Sequence, residues 1–292
     1  MSTLPEPLQE SAPLARRLAP QLCSTDPASG ESCSWCHGIW QYLRLLGLAS
    51  TPEHHADFYR RALRSVGTGG SGALRVLVSG AADYSMLAQV LTNCRERGIE
   101  PAVTVVDACE TPLVLNRWYA ERMSASIECT RCDILQYTCA VPFDAICTHS
   151  FLVQFAPAER GRLLQKWREL LRPGGAAITV TRIRPGAGEE RAGFSPEQAQ
   201  AFRATVLRKA EAMQAALHVS PEELAREAEI YMRGQRPWPV RSAAEVRGLF
   251  EDGGFKVDEL SDAPTATNAE RQPEGPAIPG SGARIQVSAT RL

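Results

Sequence analysis

The chain changes rhythm near residue 74: before it, apolar positions recur at helical spacing, and after it short apolar runs alternate with amphipathic stretches. In "WCHGIWQYLRLLGL" (35–48), Trp35, Ile39, Tyr42 and Leu46 fall on one stripe and His37, Gln41 and Arg44 on another, the pattern of a two-faced helix. "STPEHHADFYRRALRSV" starts a second helix, with Ser50 or Thr51 as cap, Pro52 in the first turn and Glu53 near the third position. "GTGGSG" (67–72) ends it. Beyond, "LRVLVSG", "AVTVVDA", "SIECTRCDIL", "FDAICTHSFLVQF" and "AAITVTRI" read as strands. The helices between them are "SMLAQVLTNCRERG", closed by Gly98, "TPLVLNRWYAERM", opened at Pro112, and "PAERGRLLQKWRELLRPGG", stopped by Pro173 and Gly174, with Trp167 on its core side. Short apolar strands separated by amphipathic helices predict an α/β chain with a parallel sheet covered on both faces. Right-handed crossovers make that sheet doubly wound.

The alternation pauses at residues 195–234, where two helices follow without a strand between them, an insertion long enough to form a lid. It resumes with the helix "SAAEVRGLFEDGGF" and the strands "FKVDELSD" and "ARIQVSATRL", seven strands in all. The Pro/Gly-rich stretch "APTATNAERQPEGPAIPGSG" joins those two strands and is too long for an ordinary connection, so it is either a functional loop or a disordered one. Residues 1–31, rich in Pro, Ala and Ser, are expected to be poorly ordered; 32–72 form a helical cap, and 73–292 the main domain.

Composition narrows the partners. With 32 basic and 33 acidic residues, a net charge of -1 and no basic block, the chain carries no footprint for nucleic acid. No apolar run approaches the roughly 18 residues of a membrane span. The N-terminus lacks a signal-peptide pattern, and nine cysteines, an odd number, do not read as a disulfide framework, so a cytoplasmic location is expected. Cys33-x-x-Cys36 and Cys129-x-x-Cys132 have the spacing of zinc ligands. Residues three apart on a strand point to opposite faces, however, so the second pair cannot easily reach one metal. No metal is expected, and the cysteines are read as thiols.

The order of elements resembles the class I S-adenosylmethionine-dependent methyltransferases over residues 74–292. The resemblance rests on "VLVSGAADY" after the first strand, "VTVVDAC" with Asp107, "RCDIL" with Asp133, "FDAICTHSFL" at the fourth strand, "LLRPGGAAITV" into the fifth, and the late helix followed by a hairpin. It implies a Rossmann-like, seven-stranded, mostly parallel sheet with S-adenosylmethionine as cofactor. Gly80 would let the backbone approach the ligand, Asp107 would take the ribose diol, Asp133 the adenine amino group and the Ile134 amide a ring nitrogen. Ala81 and Ala108 complete the expected contacts, with His149 facing the sulfonium. Read without the resemblance, Asp107 and Asp133 are helix-cap or turn acids. The glycine loop departs from the family: Val78 stands at the usual strand acid, Ala82 and Tyr84 at the second and third glycines. Tyr84 must therefore point away from the ligand or cover it. Asp83 either receives the cofactor's ammonium or caps the helix near Ser85. A Rossmann dehydrogenase would need Gly-x-Gly-x-x-Gly, of which only the first glycine is present.

Methyl transfer from a sulfonium is an in-line displacement that needs a base only when the nucleophile arrives protonated. His149 is the leading candidate for a base or a substrate hydrogen bond, or else a structural histidine. His37, with Gln41 and Arg44, forms either a roof over the cofactor or a solvated helix face. His54 and His55 are expected at the surface, and His218 has no assigned role. Tyr231, Arg233 and Trp238, in "YMRGQRPWPVRS", combine an anionic clamp with aromatic walls suited to a small zwitterion or carboxylate, or else serve in the core or at the surface. The expected activity is methyl transfer to nitrogen, oxygen or sulfur of a small metabolite. The alternative is a cofactor- or partner-binding protein with the fold and no reaction.

Overall fold

The computed structural model describes residues 6–25, 30, 32–68, 72–191, 193–263 and 283–292. Its strands are β1 (Arg75–Ser79), β2 (Ala102–Asp107), β3 (Ile127–Arg131), β4 (Phe143–His149), β5 (Leu171–Arg182), β6 (Phe255–Asp262) and β7 (Arg284–Arg291). They form one sheet in the order β3-β2-β1-β4-β5-β7-β6. All pairings are parallel except those of β7, which runs antiparallel to both β5 and β6. The chain moves outward from β1 to β3 and then crosses back to β4. This reversal opens a crevice beyond the carboxyl ends of β1 and β4, where doubly wound sheets bind ligands.

Alternation along the strands builds a core on each face. Val76 and Val78 of β1 face α4 (Ser85–Arg95) and α5 (Glu110–Arg122), where Leu87, Val90 and Leu113 are buried. Leu77 and Ile146 face α6 (Pro157–Leu170) and α9 (Ala243–Asp252), where Leu163, Trp167 and Phe250 are buried. The helix expected to run to Pro173 stops at Leu170, and β5 begins at Leu171. Proline disfavours the α region for the residue before it, so Arg172 is already extended. The third strand is also shorter than read: it ends at Arg131, and residues 133–137 turn on bonds from the Gln136 and Tyr137 amides to the Asp133 carbonyl.

Residues 6–25 correct the expectation of poor order over 1–31, of which residues 1–5, 26–29 and 31 lie outside the described residues. Residues Leu8–Leu22 form a helix, α1, despite Pro13 and Pro20 inside it. Its small residues Ala12, Ala15 and Ala19 are fully buried, and Ala19 lies against Gly38 of α2 (Ser34–Leu45). Arg16 of α1 pairs with Glu223 and Glu227 of α8 (Pro221–Gly234) at 2.5 and 2.7 Å. Tertiary burial, absent from a composition count, makes this helix. The insertion consists of α7 (Pro196–Ala212), capped by Ser195 and Gln198, and α8, capped by Ser220. Phe202, Val206, Leu224 and Met232 of these helices bury against Ile39, Tyr42 and Leu43 of α2, so cap and insertion share one core. Among the described residues no helix is long and apolar enough to cross a membrane. The Pro/Gly-rich stretch before β7 lies outside the described residues, apart from its first residue.

Candidate active site

The carboxyl ends of β1, β2 and β3 are stitched together by side chains read from the sequence. Gly80 adopts a φ of 73°, a conformation glycine takes without strain, and its amide bonds the Val106 carbonyl at 2.9 Å. A Cβ there would collide with the ring of Phe151, so this aromatic, which follows β4, occupies the space that glycine opens. Asp107 accepts from the Ala81 amide through Oδ2 (2.8 Å) and from the Cys109 amide through Oδ1 (2.7 Å). Burial raises its pKa, and the two amides oppose that rise. The Asp107 carbonyl takes the Cys132 amide at 3.0 Å, which sets the turn holding Asp133 beside it. The Asp133 carboxylate is exposed and accepts from the Leu135 amide at 3.0 Å; Ile134 is buried and Ala108 exposed.

Asp83 has a different part from the open ammonium receptor. It is buried, and its Oδ2 accepts from Trp40 Nε1 (2.9 Å), Gln41 Nε2 (3.1 Å) and Arg44 Nη1 (2.8 Å). Its Oδ1 takes the Ser85 amide at 2.7 Å, the helix-start alternative. Gln41 and Arg44 are therefore buried anchors of α2 rather than a substrate roof. Gln41 also accepts from Ser11, and Arg44 pairs with Glu6 at 2.6 Å. Tyr84 points away from the crevice, stacked on Tyr119 with ring centres 4.5 Å apart and its hydroxyl 2.9 Å from Ser11.

At the far side of the crevice His149 ends β4. The register pairs His149 with Val180, Gln286 with Val180, and Arg182 with Arg284. These side chains consequently share one face of the sheet. On that face lies α3 (Ala56–Ser65), preceded by a turn at Pro52–His55. The Tyr59 hydroxyl donates to the Thr148 carbonyl at 2.8 Å and sits 3.2 Å from His149 Nδ1. With that proton committed, Nδ1–H donates to the tyrosine oxygen and Nε2 carries the lone pair; Nε2 is buried without a partner among the described residues. Burial, then the nearby His55 and Arg284, hold the His149 pKa well below that of an ordinary histidine, so the ring is neutral at pH 7. His55, expected at the surface, is buried with its ring centre 5.5 Å from that of His149, and Gln286 Nε2 lies 3.4 Å from its Nδ1. His54 turns back instead to the Thr51 amide.

Arg182 and Arg284, both half-buried, add two cations that the sequence reading did not single out. Burial, then Arg182, brings Arg284 down to about 10, still charged at neutral pH. Neither arginine makes an ion pair with another described residue, and Arg284 Nε is buried with no hydrogen-bond partner among the described residues. Arg182 also lies near Tyr231, which is buried in an aromatic group with Trp35 (6.0 Å) and Trp40 (6.4 Å). Arg233 is no clamp: it is exposed and paired with Glu229 on its own helix. Trp238 is half-buried, its amide bonded to the Val153 carbonyl at 2.8 Å and its ring beneath Arg191. The alternating signal "TVTRI" with "ARIQV" held the two arginines, but only the register shows them facing each other.

His37 leaves the polar stripe for a group of thiols. Its Nδ1 lies 3.3 Å from Cys23 Sγ and 3.4 Å from Cys109 Sγ, and Cys109 Sγ lies 3.6 Å from both Cys23 and Cys33. The two Cys-x-x-Cys pairs do not assemble. Cys36 turns to Gln235, while Cys129 and Cys132 face the Leu113 and Asp133 carbonyls.

No family model and no curated protein matches the chain. Among solved structures it is similar to a putative sarcosine dimethylglycine methyltransferase from Galdieria sulphuraria, with a TM-score of 0.52, 11% identity and coverage of 87% of this chain and 97% of that one. It is similar also to magnesium protoporphyrin IX methyltransferase from Synechocystis PCC 6803 with bound SAH, at a TM-score of 0.51 and 12% identity over 88% and 96% of the two chains. A putative O-methyltransferase from Nostoc punctiforme PCC 73102 superposes with a TM-score of 0.51 and 13% identity over 98% of this chain and 69% of that one. By its strand order and these likenesses, the chain has the fold of the class I S-adenosylmethionine-dependent methyltransferases.

Proposed function

We propose that the protein transfers a methyl group from S-adenosylmethionine to a small, carboxylate-bearing acceptor. The observation that carries this reading is the pair Arg182 and Arg284, unpaired among the described residues, on the sheet face that also holds the neutral His149. Two half-buried cations without a counter-ion raise the free energy of the empty site, and an anionic acceptor offsets that cost. When bound, the cofactor supplies a methyl already activated by sulfonium charge. Asp107 holds the ribose hydroxyls, Asp133 the adenine amino group and the Ile134 amide a ring nitrogen, with the Gly80–Ala81 backbone beside them. His149 Nε2 accepts the proton of an amine or hydroxyl acceptor, while Tyr59 fixes the ring through Nδ1. A thioether acceptor leaves His149 as a positioning group.

The Phe151 ring against Gly80 favours a second reading, a binding protein that has kept the fold without the reaction. Calorimetry with S-adenosylmethionine and its demethylated product separates the two: absence of binding to either supports the second. Labelled donor incubated with pools of amines, phenols and thiols, each as free acid and as methyl ester, then tests the acceptor. Transfer is expected to the free acids. Equal transfer to the esters would remove the carboxylate from the proposal.

A further inference from the structure

Cys23 follows α1, Cys33 precedes α2, His37 lies in the first turn of α2, and Cys109 precedes α5 at the end of β2. Their donor atoms, Sγ of the three cysteines and a ring nitrogen of His37, all lie within 4.8 Å of one another. Zinc bound tetrahedrally takes thiolate at about 2.3 Å and imidazole nitrogen at about 2.0–2.1 Å, which sets edges of about 3.8 Å between sulfurs and about 3.6 Å between sulfur and nitrogen. The separations of 3.6 Å between sulfurs and of 3.3 and 3.4 Å between sulfur and nitrogen match those edges. They do not match a disulfide, whose sulfurs lie about 2.05 Å apart. Three thiols and one imidazole also cannot be explained as apolar packing, because His37 brings a polar ring among them.

We infer that Cys23, Cys33, His37 and Cys109 form a structural zinc site that clips the N-terminal cap onto the end of β2. Soft thiolates with one imidazole select zinc over magnesium or calcium. Four protein donors close the coordination sphere, as in structural rather than catalytic zinc sites. On binding, each thiol releases its proton to solvent and His37 offers the Nδ1 lone pair. Thr111 Oγ1, 3.2 Å from Cys23 Sγ, supports one ligand from outside. The Cys109 amide donates to Asp107 Oδ1, so the site abuts the carboxylate assigned to ribose. The clip fastens α1 and α2, which are distant from β2 along the chain, beside that acid.

Elemental analysis of the full chain, purified under reducing conditions without a metal-affinity step, is expected to find one zinc per molecule. Cys23→Ser and Cys109→Ser should lose most of it, whereas Cys36→Ser and Cys129→Ser should keep it. Should the ligand variants fail to fold, cobalt substitution in the unmodified protein gives the answer. Thiolate-to-cobalt charge-transfer bands with intense tetrahedral d–d bands are expected. Absence of zinc together with absence of those bands would overturn the inference. So would equal zinc content in all four variants, loss of zinc on Cys129→Ser or Cys36→Ser, or a disulfide among Cys23, Cys33 and Cys109 in the purified protein.

Discussion

Asp107 has one duty in the free protein and is proposed for a second, and the two can be separated. Its carboxylate holds the Ala81 and Cys109 amides in the free protein and is the group assigned to the ribose diol. Asp107→Ala is expected to weaken binding of S-adenosylmethionine at least about tenfold, the loss of a charge-assisted bond or two, while the melt stays cooperative. Calorimetry paired with circular dichroism reads both, and normal binding by a folded variant refutes the assignment. The place of Asp107 at the carboxyl end of β2 was legible, because an acid that closes a short apolar run before a helical stretch marks where a strand of a doubly wound sheet stops. Asp83 was harder to read, since its three side-chain donors come from a helix some forty residues upstream that no local pattern aims at it. His55 was misread for a related reason: a histidine in a helix's first turn is usually wet, yet β7 covers this one from the other end of the chain. Burial, with Arg284 and His54, lowers its pKa from 6.5 to about 4. A depressed value means that the unfolded chain takes the proton first, so the stability His55 confers is complete above pH 6.5 and drains away as pH falls toward 4. Thermal melts across that window should show a shallower decline for His55→Gln than for the parent; parallel profiles would mean that this ring is not the titrating group.

The helical cap shows what element-scale patterns miss. Periodicity located α2, α3, α7 and α8, because each carries an apolar stripe and a cap or a breaker. It missed α1, whose buried face is alanine and serine, too weak a signal without the glycine and glutamine it meets on α2 and the Tyr84 hydroxyl just before α4. It placed the apolar stripe of α2 correctly but misjudged the polar one: Gln41 and Arg44 are buried because Asp83 awaits them. The Arg44–Asp83 pair is wholly enclosed, and it is reinforced by Trp40 and Gln41. Removing one partner of such a pair costs about 3–5 kcal/mol, since the other charge is left buried. Arg44 keeps Glu6 and the more exposed Glu53, which places Asp83→Ala near the lower end of that range. Denaturant titration gives the value. A loss below about 1 kcal/mol, the worth of an ordinary hydrogen bond, would show that the cap rests on its apolar core alone.

For the whole molecule, the near-zero net charge says nothing about how the charges are arranged. The sequence shows 32 basic and 33 acidic residues scattered along the chain, and most arginines on helix surfaces do find a carboxylate nearby. Folding then sets Arg182 and Arg284 opposite each other across an antiparallel ladder, beside two histidines and without an acid among the described residues. A structural role alone would have selected against that arrangement, because half-buried like charges repel and a partner-free guanidinium loses hydration. Arg182→Met keeps the length of the stem and removes one cation. If the two arginines serve an anionic acceptor, this variant should melt at the same temperature as the parent or higher, because the repulsion is relieved. It should at the same time raise the KM for a carboxylate acceptor by about tenfold or more, the loss of one charge-assisted contact, with the affinity for S-adenosylmethionine unchanged. Stability that holds or rises while acceptor binding weakens is the pattern of a ligand-binding cation. A lower melting temperature with an unaltered KM would make Arg182 a structural residue and take the carboxylate out of the proposed acceptor.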